Sequence, residues 1–290
     1  MKDIKEIVVI SGKGGTGKTT ITSSLSDMIP AKIIVDADVD AADLYILMKP
    51  GNIQSTEFKG KSVAVIDNSR CVSCGRCLEL CRFHAIVVNN EKYYVDDLSC
   101  EGCTLCRFAC PVEAISMRDR IVGKWLISTT EWGDFVYARL NPGAENSGSL
   151  VAMVKQQAKL RAQEKNISLL LIDGPPGIGC SVISAISGAT LAIIVTEPTC
   201  SGISDLERVY QLTSHFKIKS GIVINRYDIN LENTQKIENF ARQNQIPVYA
   251  RIPHLDCIRE AIVCRDIPSR RCPELAKLLK NLYKKINEEL

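Results

Sequence analysis

Gly12-Lys13-Gly14-Gly15-Thr16-Gly17-Lys18-Thr19 follows an apolar, β-branched run at residues 6–10 and precedes a helix-compatible stretch at 18–28. The octet fits G-x-x-x-x-G-K-[ST] in the strand–turn–helix context that this pattern requires. Its glycines let the chain turn so that backbone N–H groups point at phosphate oxygens, and the following helix N-terminus adds a partial positive charge. Lys18 is then placed to reach the β- and γ-phosphates of a nucleoside triphosphate. The Thr19 hydroxyl is placed to ligate Mg²⁺, with Thr20 lining the same site.

The rest of the chain repeats the strand–helix rhythm. Short apolar runs at 32–35, 169–172, 191–195 and 221–224 alternate with helix-compatible stretches at 148–164, 201–216 and 231–242. Such alternation predicts an α/β fold with a mostly parallel sheet covered by helices on both faces. The rhythm breaks between about 61 and 120, and residues 121–140 read as a β-hairpin or extended connector leading to a loop at 141–148. The expected organisation is therefore a discontinuous nucleotide-binding domain, 1–60 and 121–290, with a small α+β domain inserted at 61–120.

Composition narrows the class. The 290 residues carry 36 basic and 33 acidic side chains, a net charge of +3, which gives no reason to expect nucleic acid or an anionic membrane as partner. No apolar run approaches the roughly 18 residues needed to span a bilayer. The first residues show no secretory cleavage pattern, so the expected location is the cytoplasm. Thirteen cysteines are unusual there, and in a reducing compartment they point to metal rather than disulfides. Eight of them fall in an internal repeat: CVSCGRCLELCRFHAI, from Cys71, resembles CEGCTLCRFACPVEAI, from Cys100. Cys180, Cys200, Cys257, Cys264 and Cys272 stand apart and are expected to be small buried apolar side chains.

Cys71-x₂-Cys74-x₂-Cys77-x₃-Cys81 and Cys100-x₂-Cys103-x₂-Cys106-x₃-Cys110-Pro111 both resemble the bacterial ferredoxin run. In two-cluster ferredoxins the fourth cysteine of each run ligates the other cluster. That resemblance assigns one [4Fe-4S] cluster to Cys71, Cys74, Cys77 and Cys110, and a second to Cys100, Cys103, Cys106 and Cys81. Zinc motifs pair two C-x-x-C units instead of running three cysteines in series. Arg82 stands where the second run has Pro111, which changes the turn after Cys81 without removing a ligand.

With Lys13 early in the loop, GKGGTGKT resembles the deviant Walker A motif of the MinD/ParA/Mrp and nitrogenase-iron-protein group of P-loop ATPases. In that group the second lysine reaches across a homodimer to the other subunit's nucleotide. Three further motifs carry the resemblance. Val35-Asp36-Ala37-Asp38 matches switch I, implying that Asp38 orients the attacking water or a Mg²⁺-bound water, with Asp40 and Asp43 as alternatives. LLLIDGPPGIG matches Walker B and switch II, which makes Asp173 a direct or water-mediated Mg²⁺ partner. Asn225, ending GIVIN, matches the asparagine that contacts adenine.

The resemblance covers residues 1–50 and 150–290 and places the cysteine-rich insert between switch I and switch II. It implies an ATP-hydrolysing protein that binds ATP or ADP with Mg²⁺, pairs with a second copy when ATP is bound, and serves an unknown redox or client protein. Two functions stay open: nucleotide-gated electron transfer through two [4Fe-4S] clusters, or cluster delivery and metalloenzyme maturation. A third, a positioning ATPase with clusters as a sensor, would use the amphipathic, lysine-rich C-terminal stretch PELAKLLKNLYKKINEEL at a membrane surface; a packed surface helix is the plainer expectation.

Overall fold

The computed structural model describes residues 4–144 and 148–290, so part of the loop expected at 141–148 and the first three residues lie outside the described residues. The described residues separate into two compact units. One falls within Met1–Ser55, Trp125–Arg139 and Asn146–Leu290, the other within Thr56–Lys124 and Leu140–Glu145.

The first unit begins with β1 (Lys5–Ser11), whose Val/Ile side chains are buried on both faces, and α1 (Lys18–Met28). β2 (Ile33–Asp36) and the short α2 (Leu44–Met48) follow, and β3 (Gly51–Lys59) carries the chain onward. The second unit holds β4 (Val63–Ile66), α3 (Arg76–Leu80), β5 (Ile86–Asn89), β6 (Lys92–Val95), α4 (Leu105–Ala109) and β7 (Ile115–Arg118). The return runs through β8 (Ile121–Thr130) and β9 (Gly133–Leu140).

The remaining elements alternate: α5 (Ser149–Glu164), β10 (Leu169–Pro176), α6 (Cys180–Ile186), β11 (Leu191–Thr196), α7 (Cys200–His215) and β12 (Lys219–Asn225). A 3₁₀ turn at Tyr227–Ile229 leads to α8 (Leu231–Gln243) and β13 (Val248–Ile252). Three helices end the chain: α9 (Asp256–Val263), α10 (Pro268–Arg271) and α11 (Pro273–Glu289).

The nine-stranded sheet has the order β13-β12-β11-β1-β10-β2-β9-β8-β3. From β13 to β9 each neighbouring pair is parallel. The burial of every residue in β2 and β11 shows a sheet covered on both faces. On one side β1, α1 and α11 share a core that includes Ile7, Ile21, Leu25, Leu279 and Leu282. Leu275, Leu279, Leu282 and Ile286 recur at helical spacing on α11, and all four are fully buried. The apolar stripe of the C-terminal helix is thus consumed by the core, as a packed surface helix requires. Among the described residues no helix is long and apolar enough to cross a membrane.

The second unit is built as two like halves. β4 pairs antiparallel with β7, and β5 with β6. Left-handed backbone recurs at matching positions of the cysteine repeat: Ser73 and Gly102, Gly75 and Thr104, His84 and Glu113. Asp67 and Asp96 stand four residues ahead of Cys71 and Cys100 and do the same work in each half. The Cys71 amide donates to the Asp67 carbonyl and the Cys100 amide to the Asp96 carbonyl, both at 3.0 Å. Hydrogen bonds from the Ser69 and Ser99 side chains lower the two aspartates' pKa values.

Candidate functional site

β1 ends at the glycine loop, and its neighbour β10 and, one strand further, β2 end on the same side of the sheet. Register pairs Val9 with Asp173 and Asp173 with Asp36, so both carboxylates stand at the carboxyl end of adjacent parallel strands, where ligands of such sheets collect. Gly17 turns the loop into α1 at φ 100°; a Cβ there would meet the Asn225 side chain at 2.5 Å. Gly12 is equally constrained, because a Cβ would overlap Asp205 of α7 at 2.3 Å. Around Gly14 and Gly15 a Cβ would meet nothing within 4 Å.

Lys18 is buried, and among the described residues its ammonium makes no hydrogen bond or ion pair. A buried ammonium with no hydrogen-bond acceptor is costly; a phosphate oxygen is the acceptor this loop is shaped to bring. Thr19 Oγ1 donates to Asp173 Oδ2 at 2.7 Å and Thr22 Oγ1 to Asp173 Oδ1 at 2.9 Å, which fixes that carboxylate at the helix start. Thr20 follows on the first turn of α1 and is half-buried.

Three acidic groups crowd the opposite wall. Burial pushes Asp173 up to about 6, with Thr19 and Lys18 opposing. Burial likewise pushes Asp38 up to about 6, with Lys18 opposing and Asp173 adding to the rise. Asp36 is raised well above its ordinary value by burial and then by Asp173 and Asp38. Crowded, desolvated carboxylates next to a threonine hydroxyl are the donor set of a hard divalent cation.

The geometry separates the two switch I aspartates. Asp36 accepts the backbone N–H groups of Asp38 and Leu44, at 3.1 and 3.3 Å, and so shapes its own loop. The Asp38 carboxylate meets the Lys18 charge first and the Ala41 backbone N–H after it. Asp43 precedes α2, and Asp40 is exposed. No three carboxyl, thiol or imidazole groups among the described residues converge closely enough to hold a single metal ion. A Mg²⁺ here would complete its shell with phosphate and water, as this ion prefers.

Lys13 lies folded onto its own chain. Its ammonium sits 2.6 Å from Glu197 and donates to Thr199 and Ser201 at 3.2 and 3.0 Å. Arg226 reaches the same Glu197 at 3.3 Å. Asn225 donates from Nδ2 to the Thr16 carbonyl at 2.8 Å and accepts the Arg226 amide, so its side chain braces the phosphate loop. Glu197 and Thr199 escaped the sequence reading because their partner lies far away in the chain. The polar TEPT ending an otherwise apolar strand was the available signal.

The eight clustered cysteines line two cavities in the second unit. Cys71, Cys74, Cys77 and Cys110 line one, with Tyr93 and Ile115. Cys81, Cys100, Cys103 and Cys106 line the other, with Leu80 and Leu105. Each cavity takes three cysteines from one run and the fourth from the other. Burial raises the Cys77 and Cys106 thiols, and the neighbouring cysteines add to the rise.

The outlying cysteines differ from expectation. Cys180, Cys200 and Cys264 are exposed, not buried, because the first two open α6 and α7 at their free ends and the third closes α9. Cys257 and Cys272 are joined by a disulfide, with Cys272 buried in the core.

A glycine loop between a strand and a helix at the carboxyl edge of a parallel sheet, with a buried lysine and facing aspartates, defines a P-loop ATPase. The chain belongs to the CobQ/CobB/MinD/ParA nucleotide-binding domain family, whose model matches residues 7–266. It is 30% identical to an uncharacterized protein of Methanocaldococcus jannaschii, over 98% of this chain and 97% of that one. Septum site-determining protein MinD of Bacillus subtilis is 26% identical over 71% of this chain and 58% of its own length. Among solved structures, MinD of Pyrococcus horikoshii complexed with Mg-ADP superposes with a TM-score of 0.57 at 18% identity, covering 98% of this chain and 96% of that one.

Proposed function

We propose that this chain is an ATP-hydrolysing iron–sulfur protein in which nucleotide-dependent pairing of two copies controls electron transfer. The observation that carries this reading is the sorting of eight cysteines into two four-thiol cavities, each closed by a cysteine from the other half of the repeat. In this reading the second unit is a ferredoxin-like domain, and its cavities take two [4Fe-4S] clusters. Bound there, the clusters supply one-electron chemistry, with all protein ligand positions filled by cysteine and none left for a substrate.

The nucleotide site works by positioning. The amides of 14–19 and the Lys18 ammonium hold the phosphates of ATP. Thr19 and Asp173 hold Mg²⁺, directly or through water, and Asp38 orients the attacking water. Asn225 keeps the loop in shape through Thr16, and in this reading it contacts the adenine. To act on a second copy's nucleotide, Lys13 must leave Glu197, Thr199 and Ser201, so pairing exchanges one set of charge-assisted contacts for another. A cytoplasmic setting suits the eight free thiols of the repeat, and the Cys257–Cys272 disulfide stands as the exception to it. The test is the reduction potential of the reconstituted chain, and its rate of electron transfer to an artificial acceptor, with and without ATP. Identical values in both states sink the gating idea.

One observation favours cluster delivery or metalloenzyme maturation instead: Cys180 is exposed directly after the 174–179 switch loop. Iron counted per dimer in wild type and Cys180→Ala separates the two. A Cys180-dependent excess over two clusters per chain supports delivery, and an unchanged count supports electron transfer.

A further inference from the structure

Helices α3 and α4 pack against each other, and neither buries a single residue. Four large apolar side chains therefore face solvent on ten residues of helix: Leu78, Leu80, Leu105 and Phe108, the last 83% exposed. Leu80 and Leu105 line the cavity that holds the exposed Cys103. Apolar side chains concentrated in this way on a small unit mark a contact surface.

Charge says what the surface meets. Arg76, Arg82 and Arg107 stand exposed on or beside the two helices. Among the described residues none of the three is in an ion pair; Arg82 rests only on the Phe83 ring, 5.5 Å from its centroid. Elsewhere in the same unit Lys59, Lys61 and Arg118 are paired, with Asp119, Glu101 and Asp97. Glu79 is the one carboxylate on α3 and α4. An apolar centre flanked by unpaired arginines is the anatomy of a protein interface, and its positive sign selects an acidic partner. A second copy docked two-fold on this face would set arginine against arginine.

We propose that the α3–α4 face docks a small acidic electron-carrier protein, with Phe108 and the leucines at the centre and Arg76, Arg82 and Arg107 at the rim. This rests on the iron–sulfur reading, because the face borders both thiol-lined cavities at Cys74 and Cys103. Encounters of this class are small and transient, so their affinity depends on salt and on rim charge.

The test uses the full chain, reconstituted anaerobically, with fluorescently labelled flavodoxin as the acidic probe, cytochrome c as a basic control and anionic phospholipid vesicles as a non-protein one. Binding is read by anisotropy, without turnover. The expected result is saturable flavodoxin binding that weakens at least tenfold between low and physiological salt. The triple change Arg76→Glu, Arg82→Glu, Arg107→Glu should weaken it at least tenfold at low salt, and Phe108→Ala at least threefold, with iron content unchanged. Equal binding of both proteins, binding indifferent to salt and to the triple change, or binding of vesicles alone overturns the proposal. A chain that takes up no iron fails the iron–sulfur reading first, and the iron count distinguishes that failure from loss of docking.

Discussion

Replacing Lys155 by Met should cost about 3 kcal/mol of stability and loosen the helix that follows switch II. Lys155 is almost wholly buried on α5. Its ammonium lies 2.9 Å from Glu6 Oε2 and donates to the carbonyls of Ala185 and Ser187 at 2.6 and 2.8 Å, and to that of Ser184 at 3.4 Å. These carbonyls close α6, so the lysine ties the end of that helix to the strand that feeds the phosphate loop. Burial lowers its pKa against the opposing pull of Glu6. Removing one member of a buried pair costs about 3–5 kcal/mol, because the other charge is left uncompensated. Lys159, 2.5 Å from Glu6 Oε1, offsets part of that loss and sets the estimate at the lower end.

The double variant Glu6→Gln, Lys155→Met removes both charges, so it should cost about 2 kcal/mol less than the sum of the single changes. At about 2–4 °C per kcal/mol for a domain of this size, the single variant melts about 6–12 °C lower. Urea titration followed by circular dichroism gives the free energies. A loss below about 1 kcal/mol for Lys155→Met, or strict additivity in the double variant, refutes the reasoning.

Lys32 makes the opposite forecast. Burial lowers it to about 8 from 10.5, only partly opposed by Asp27. The unfolded chain therefore binds the extra proton between those values, and stability rises with pH across that window. Lys32→Met should be more stable than the wild type at pH 7, with the advantage shrinking as pH rises from about 8 to 10.5; melting curves at pH 7 and 10.5 check it. Asp38→Asn should lower ATP hydrolysis by about 10²–10³-fold while equilibrium nucleotide binding persists, read by phosphate release and by a fluorescent nucleotide. Cys110→Ala and Cys71→Ala should disturb the same electron paramagnetic resonance signal, and Cys81→Ala the other; grouping by run instead would refute the crossed assignment. Leu282→Ala should cost about 2–5 kcal/mol, since α11 is a core element.

Much of this was legible in the sequence where local chemistry and periodicity agree. The loop at 12–19 and α1 at Lys18–Met28 follow from glycine, lysine and threonine at fixed spacing. The buried strands are continuous apolar runs, and β1, β10, β11 and β12 each extend an expected run by one to four residues. The exposed β3, GNIQSTEFK, has no apolar face to betray it, and VYARI of β13 is too mixed. Contacts between distant residues were out of reach: Lys13 with Glu197, Asn225 with Thr16. Two signals were present and unread. A glutamate opening an apolar strand, Glu6, needs a buried cation, and an aspartate four residues before each cysteine run, Asp67 and Asp96, belongs to the repeat. The free cysteines were misjudged because burial of a cysteine depends on where its helix ends, which composition does not state.

The central claim is that the phosphate loop and two crossed four-cysteine sites serve one protein. Iron and acid-labile sulfide measured per chain after anaerobic reconstitution test it most directly. About eight of each, falling to about four in Cys110→Ala, is the predicted result. Stoichiometric zinc with no sulfide, or an iron content indifferent to Cys110, contradicts it.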